Sequence, residues 1–267
     1  MTTMTFSLQL FTLRSPIDDD LDSTLEKAAA AGFTQVEPYN FVATAGSLGR
    51  AMQELGLTAP SGHAPLLRSD QDEIFRAANA LGIATVIDPH VPEELWQQKS
   101  DIEATAGRLN AAARKAADYG IRVGYHNHAF ELESRIDGRS ALEYFADQLD
   151  PAVVLEVDTY WAAVGGEDPA QLLTTLGERV RFIHLKDGDI SKDRKAQLPA
   201  GRGRMPIAEI LAAATSVEVG VVEFDDYAGD IFEGIRESLD FLTSAGPTGE
   251  DQAHAAAGDT GPQATRS

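Results

Sequence analysis

The chain has 267 residues, 43% of them hydrophobic, which is enough for one large core and within the usual range of an α/β barrel. Its 22 basic and 42 acidic side chains leave a formal net charge of −20; this disfavours a nucleic-acid partner, which draws on a basic surface, and suits a site that attracts a divalent cation. The lack of cysteine excludes disulfides and thiolate zinc sites, and without an eighteen-residue apolar run or a signal-peptide pattern the expectation is a cytoplasmic protein with no membrane partner.

Short apolar runs alternate with helical patterns along the chain. The first run, "FSLQLF" (6–11), is followed by "DDDLDSTLEKAAAAG", a helix with acids at its start and Gly32 as its stop. "FTQVEPY" (33–39) comes next, with a helix ending at Gly56, then "LTAPSGHA" (57–64) and "IATVIDP" (83–89). A long helical segment ends at Gly120 and leads into "IRVGYHNH" (121–128), "AVVLEVD" (152–158) and "RFIHLKD" (181–187). The polar loop "GDISKDRKAQLPAGRGRMP" precedes the last run, "VEVGVVEF" (217–224). Eight near-continuous apolar runs, each with a helix, predict an α/β fold, a (β/α)8 TIM barrel of one domain over 1–245. No Gly-x-Gly-x-x-Gly follows the first strand, which argues against a dinucleotide site. From about Gly246 the composition turns small and polar, so 246–267, with His254, reads as a disordered tail.

In such barrels chemistry sits where strands end. Gln9, Glu37, His63, His126, His128, Glu131, Asp158, His184, Lys186 and Glu223 all fall there. Glu131, Asp158, His184 and Glu223, from strands five to eight, are the candidates for one cation. Three oxygen donors and one imidazole suit Mn²⁺ first, with Mg²⁺ or Co²⁺ as alternatives. The competing reading of these residues is a set of buried ion pairs at strand ends, or for Glu131 a solvated loop acid.

"YHNHAFE", "LEVDTYW", "FIHLKD" and "VVEFDD", in that order, resemble the sugar phosphate isomerase/epimerase family, with the xylose-isomerase-like TIM barrel. The opening "LQLFTLR" and "GFTQVEPY" resemble its first two strands, and the similarity runs from about residue 5 to 244. The resemblance implies a metal held by Glu, Asp, His and Glu on the last four strands, and a sugar or keto-sugar as the small-molecule partner. Asp158 and His184 match without ambiguity, and Glu223 ends the last apolar run. In related epimerases the strand-five ligand is a Glu standing earlier on the strand, near where this chain has Tyr125. The expected ligand here is Glu131, with His126 or His128 as alternatives. Relatives also often carry an acid between the glycines of "AGRGRMP", where this chain has Arg202, a feature suited to an anionic or strongly oxygenated ligand. Relatives commonly pair or form tetramers, so a homo-oligomer is compatible with the resemblance.

Glu131 and Glu223 are the expected acid/base pair, with His128 as the substitute for Glu131. Glu37, His63, His128, Lys186, Arg202 and Trp161 are the expected substrate contacts. Lys186 either polarises a substrate carbonyl or pairs with Asp187, Trp161 covers a sugar face or packs, and Gln9, Arg14 and His90 are weaker candidates. The chemistry expected of this set is proton abstraction next to a carbonyl through an enediolate-like intermediate. A metal-dependent sugar isomerase or epimerase leads. A lyase or dehydratase on a keto-sugar or inosose follows, and a non-catalytic sugar-binding protein is the alternative of another class. The DNA-repair endonucleases that share the barrel would want basic loops that this acidic chain lacks.

Overall fold

The computed structural model describes residues 4–245, so the expected tail, 246–267, lies outside the described residues. All eight anticipated strands are present: β1 (Thr5–Gln9), β2 (Val36–Glu37), β3 (Ser61–His63), β4 (Thr85–Asp88), β5 (Arg122–His126), β6 (Val153–Asp158), β7 (Val180–Leu185) and β8 (Val219–Val222). They form one parallel sheet in the order 2-1-8-7-6-5-4-3. Parallel bridges between Gln35 and Thr58 and between Tyr39 and His63 join β2 to β3 and bring the ring close to closure. β2 and β3 are much shorter than their apolar runs. Pro38 and Pro60 flank them, and proline has no N–H for the ladder.

Among the described residues, eight helices of seven or more residues surround the sheet: α1 (Leu21–Ala30), α2 (Ala45–Leu55), α3 (Gln71–Leu81), α4 (Lys99–Ala117), α5 (Ala141–Gln148), α6 (Pro169–Leu176), α7 (Ile207–Ala213) and α8 (Ile231–Ala245). Side-chain caps mark where several of them begin. Asp20 accepts from the Ser23 N–H at 3.0 Å, Asp70 from Asp72 at 2.8 Å, and Ser140 and Glu143 make a reciprocal capping box at α5. Each such cap is worth about 1 kcal/mol. No helix among the described residues is long and apolar enough to cross a membrane.

Strand alternation sends every second residue into the barrel. Arg122, Gly124 and His126 face inward on β5, Val154, Glu156 and Asp158 on β6, and Phe182 and His184 on β7. The interior is therefore layered. At the floor, Arg122 and Arg181 clamp Glu218, with Arg122 bidentate at 2.9 and 2.6 Å and Arg181 at 2.9 and 2.7 Å. Above it Ile87, Val154, Phe182, Val219 and Val221 form a separate apolar cluster. Gly124 leaves room for this layer, since a Cβ there would stand 3.2 Å from both Ile87 and Val154. The polar residues lie above the apolar plug, toward the C-terminal ends of the strands.

The Arg122 hydrogen bonds lead in pulling the Glu218 carboxyl from its ordinary 4.5 to about 2; burial opposes them, and Arg181 adds to the pull. A depressed carboxylate stabilises the fold above its unfolded value and loses that contribution as pH falls through the folded value. Glu218→Gln should thus cost about 1–2 kcal/mol at neutral pH, after allowance for solvent screening. The difference from the parent should shrink between pH 4.5 and 2. Urea titrations across that window check it; a constant difference would reject the clamp as a stabilising pair.

Candidate functional site

The deeper polar layer is built from Glu37, Ser61, His63, Glu156 and His184, all buried. The Glu37 carboxylate accepts from Gln9 Nε2 at 2.7 Å and from the Ser61 hydroxyl, and stands 3.0 Å from His184 Nε2 and 3.2 Å from His63 Nε2. Glu156 Oε2 lies 2.6 Å from His63 Nε2, 3.0 Å from His126 Nδ1 and 3.1 Å from His184 Nε2. Burial, and then the Glu156 charge, raise the Glu37 carboxyl above the usual carboxylate value. Burial would also raise Glu156, but His184 and His63 outweigh it and hold that group well below the usual range.

The upper layer joins β5 to β8. His126, Asp158, His184 and Glu223 each offer one ligand atom, and the four atoms lie within 4.8 Å of one another. His184 Nδ1 is 2.6 Å from Glu223 Oε2, and His126 Nε2 is 3.8 Å from Asp158 Oδ2. Asp158 Oδ1 caps the short helix Thr159–Val164 by accepting the Trp161 N–H at 2.9 Å. Its other oxygen, Oδ2, has no well-directed hydrogen bond among the described residues, although Lys186 Nζ stands 2.8 Å away. The same ammonium lies 2.6 Å from Glu223 Oε2 and donates to Asp225 Oδ2 at 2.8 Å. Burial opposes the charge on Lys186, yet Asp158, Asp225 and Glu223 together push its pKa well above the usual value. Burial likewise opposes ionised Glu223, and Lys186 and His184 overcome it, so this carboxyl titrates well below its ordinary range. His126 is driven the other way: burial, then the charge of His184, lower its pKa well below the usual imidazole value.

The site opens on a cavity of about 270 Å³ at the strand ends. His90, His128, Phe130 and Trp161 form its aromatic walls, and Lys192 and Arg194 from the loop after β7 line it as well. His128 and Phe130 stack at 5.3 Å with planes 7° apart, and His90 stands edge-on to both. The cavity adjoins the metal-type cluster: the His126 and His128 rings are 5.4 Å apart and Lys186 Nζ is 5.7 Å from the Trp161 ring. His128 Nδ1 is buried there without a hydrogen-bond partner among the described residues.

A family model for the xylose isomerase-like TIM barrel matches residues 25–245. The chain belongs to that family. Among curated relatives of this xylose isomerase-like barrel, an inosose dehydratase of Geobacillus kaustophilus is 32% identical over 105 residues, 38% of this chain and 33% of the relative. The chain thus matches about a third of the length of that protein. Among solved structures, a sugar phosphate isomerase/epimerase from Parabacteroides distasonis superposes with a TM-score of 0.77 at 24% identity, covering 92% of this chain and 96% of that one. The IOLI protein with a binding zinc atom superposes at 0.69 with 15% identity, covering 91% and 98%.

Within this barrel the structure gathers Asp158, His184 and Glu223, as the strand ends suggested, but it does not bring Glu131 to them. Glu131 lies in the short helix Phe130–Glu133, where Tyr125 donates to Oε1 at 2.7 Å and the His128 N–H donates to Oε2 at 2.8 Å. Tyr125 projects from the face of β5 opposite His126, against Trp96 and Phe145, so Glu131 is held in the helix layer. His126 is the β5 residue that reaches the cluster. Arg202 is also elsewhere: it is exposed and pairs with Glu237 of α8 at 3.4 Å. The glycines around it answer to Asp187, which accepts the N–H groups of Gly188 and Met205 on one oxygen and of Gly201 and Gly203 on the other, all at 2.8–2.9 Å. A Cβ on Gly203 would collide with that carboxylate. Asp187 is therefore the fastening of the loop, not the partner of Lys186. Glu37 and His63 sit in the deeper layer, with Gln9 bonded to Glu37, while His128, Trp161 and His90 line the mouth. Arg14 donates to the Phe11 and Asp225 carbonyls.

Glu156 escaped the sequence reading, although its signal was present: in "LEVD" it stands two residues before Asp158 and so shares its inward face. Asp225, the third carboxylate on Lys186, was missed because it lies past the apolar run. Lys186→Met would leave the buried Asp158 and Glu223 and the half-buried Asp225 without this cation and should cost about 3–5 kcal/mol in chemical denaturation. A loss below 1 kcal/mol would show that the pairing is dispensable.

Proposed function

We propose that this chain is a divalent-metal-dependent enzyme that removes a proton next to a carbonyl of a sugar or keto-sugar. The observation that carries the reading is the convergence of His126, Asp158, His184 and Glu223 beneath an aromatic cavity. These four residues fit a cation: Asp158 Oδ2 is a buried acceptor lacking a well-directed bond, and a lysine ammonium already stands between it and Glu223. His126, Asp158, His184 and Glu223 would hold the ion. With His126 in the place expected for Glu131, the donors are two imidazoles and two carboxylates, a set suited to Zn²⁺ as well as Mn²⁺ or Co²⁺; the zinc of the IOLI structure is consistent with that. When bound, such an ion supplies a Lewis acid that offsets charge developing on a carbonyl oxygen.

The chain's own residues do the rest. Glu223 is kept ionised by Lys186 and His184 and is the carboxylate available to take the proton. Lys186, fixed by three carboxylates, places a positive charge beside the developing oxyanion. The cavity receives the part of the substrate remote from the reacting carbon, with Phe130 and Trp161 offering flat faces to a ring. His128, whose half-buried ring lines the cavity, offers a hydrogen bond to a substrate hydroxyl. These residues support either an isomerase or epimerase or, as a second reading, a lyase or dehydratase on a keto-sugar or inosose. One observation favours the lyase: both oxygens of Glu131 are occupied, so the acid/base pair of two glutamates that a two-faced epimerisation would use is not assembled. Elimination needs one base and help for the leaving group, which His128 is placed to give. The sequence similarity to an inosose dehydratase supports the same choice.

The test is solvent exchange in D₂O with Mn²⁺ or Zn²⁺, followed by NMR across ketoses, keto-glycosides and inososes. Deuterium should enter next to a carbonyl, and Glu223→Gln should lower that rate by at least about a hundredfold. An unsaturated product would decide for the lyase, and an exchanged ketose or epimer for the isomerase. If no compound exchanges, the non-catalytic sugar-binding alternative stands instead. Phe130→Ala should raise KM about tenfold with kcat little changed; an equal fall in kcat would move Phe130 from binding to the chemical step.

A further inference from the structure

The two sets of candidate ligands in the barrel share His126 and His184, yet they use opposite nitrogens of each ring. Toward the mouth, His126 Nε2 faces Asp158 and His184 Nδ1 faces Glu223. Toward the floor, His126 Nδ1 is 3.0 Å and His184 Nε2 is 3.1 Å from a single oxygen, Glu156 Oε2. His63 Nε2 approaches the same oxygen at 2.6 Å. A neutral imidazole carries one N–H and one lone pair. Each ring can therefore serve a cation on one side only, unless it gives up both protons.

We infer that Glu156 is a positioning residue: its buried carboxylate accepts the inward N–H of both His126 and His184 and so turns their lone pairs toward Asp158 and Glu223. This rests on the metal reading above. One oxygen fixes the tautomer and the tilt of two rings from adjacent strands at once, because β6 lies between β5 and β7 and Glu156 pairs with His126 in the β5–β6 register. His184 Nε2 has a second acceptor, Glu37 Oε1 at 3.0 Å, whereas His126 Nδ1 has Glu156 alone among the described residues. His126 thus depends on Glu156 more than His184 does. The same geometry argues against a second ion in the deeper set. An ion held by His63, His126, Glu156 and His184 would need the two shared lone pairs to point inward, which would strip the upper set of both its nitrogens.

Two measurements on the full chain test this. In the Zn²⁺-loaded parent, long-range proton–nitrogen NMR should show His126 protonated on Nδ1 and His184 on Nε2. In Glu156→Gln, which keeps the volume but removes the charge, Mn²⁺ affinity by EPR titration should fall 10- to 100-fold. The visible spectrum of the Co²⁺ form should shift, while the metal-free melting temperature stays within a few degrees. A purely structural role would move the melting temperature and leave the Co²⁺ spectrum alone. Protonation on the outward nitrogens, or parental Mn²⁺ affinity and Co²⁺ spectrum in Glu156→Gln, would overturn the inference while leaving the metal reading intact. Two ions per chain in the parent, one of them lost in Glu156→Gln, would make the deeper set a metal site in its own right and overturn it equally. A parent that binds no ion would overturn both readings. Should Glu156→Gln fail to fold, the nitrogen assignment in the parent decides alone.

Discussion

Asp158, Glu223, Glu37 and Glu156 are carried into a dry interior by strand alternation, and an unpaired carboxylate there would cost several kcal/mol. The placement of the cationic groups above the apolar plug follows from that constraint. Lys186 serves three acids at the top, His184 bridges the upper and lower layers, and His63 serves the two deep acids. The pairing explains opposite shifts among similar groups: Glu37 goes up, because burial and a neighbouring acid dominate, while Glu223 goes down, because a lysine and an imidazole overcome burial. A set of carboxylates balanced in this way is stable as a protein interior and is also a ready array of donors. The two readings that the sequence left in competition, ion pairs and cation site, are thus compatible: residues paired in this way could also hold an ion.

The apolar plug beneath this array matters to the chemistry above it. Ile87, Val154, Phe182, Val219 and Val221 seal the barrel between the arginine clamp at the floor and the ionisable layers. The aromatic cavity lies on the other side of the ionisable layers, at the strand ends. The loop that contributes Lys192 and Arg194 to that cavity is long, polar and without a helix of its own beyond a short turn. Four backbone N–H groups gathered on Asp187 hold it, which is why glycine recurs there. The strands thus hold the buried polar cluster, while the fastened loop after β7 contributes Lys192 and Arg194 to the cavity wall.

The barrel itself was legible in the sequence, because parallel strands buried on both faces must be continuous apolar runs, and eight such runs were separated by helical patterns with recognisable stops. Asp158, His184 and Glu223 could be placed at the mouth of the barrel for a related reason: Asp158 ends β6, His184 stands one residue before the end of β7 and Glu223 directly follows β8. Glu131, in the short helix after β5, and Arg202, in the loop after β7, lie past strand ends, where spacing along the chain does not say which way a side chain turns. Tyr125 and the backbone of His128 draw Glu131 behind β5, and the demand of Asp187 for close-packed glycines leaves Arg202 facing outward.

What the sequence by itself determined is what depends on period: the eight strands, the inward face of each, and the polar residues that face must carry. Only the tertiary structure decided which of those residues meet, since that depends on the registers between strands. Glu156 lies opposite His126, and Asp158 opposite His184, because β5, β6 and β7 are aligned so. Such alignments join residues tens of positions apart in the chain. No local pattern records them, because the energy that sets them comes from closing the whole ring.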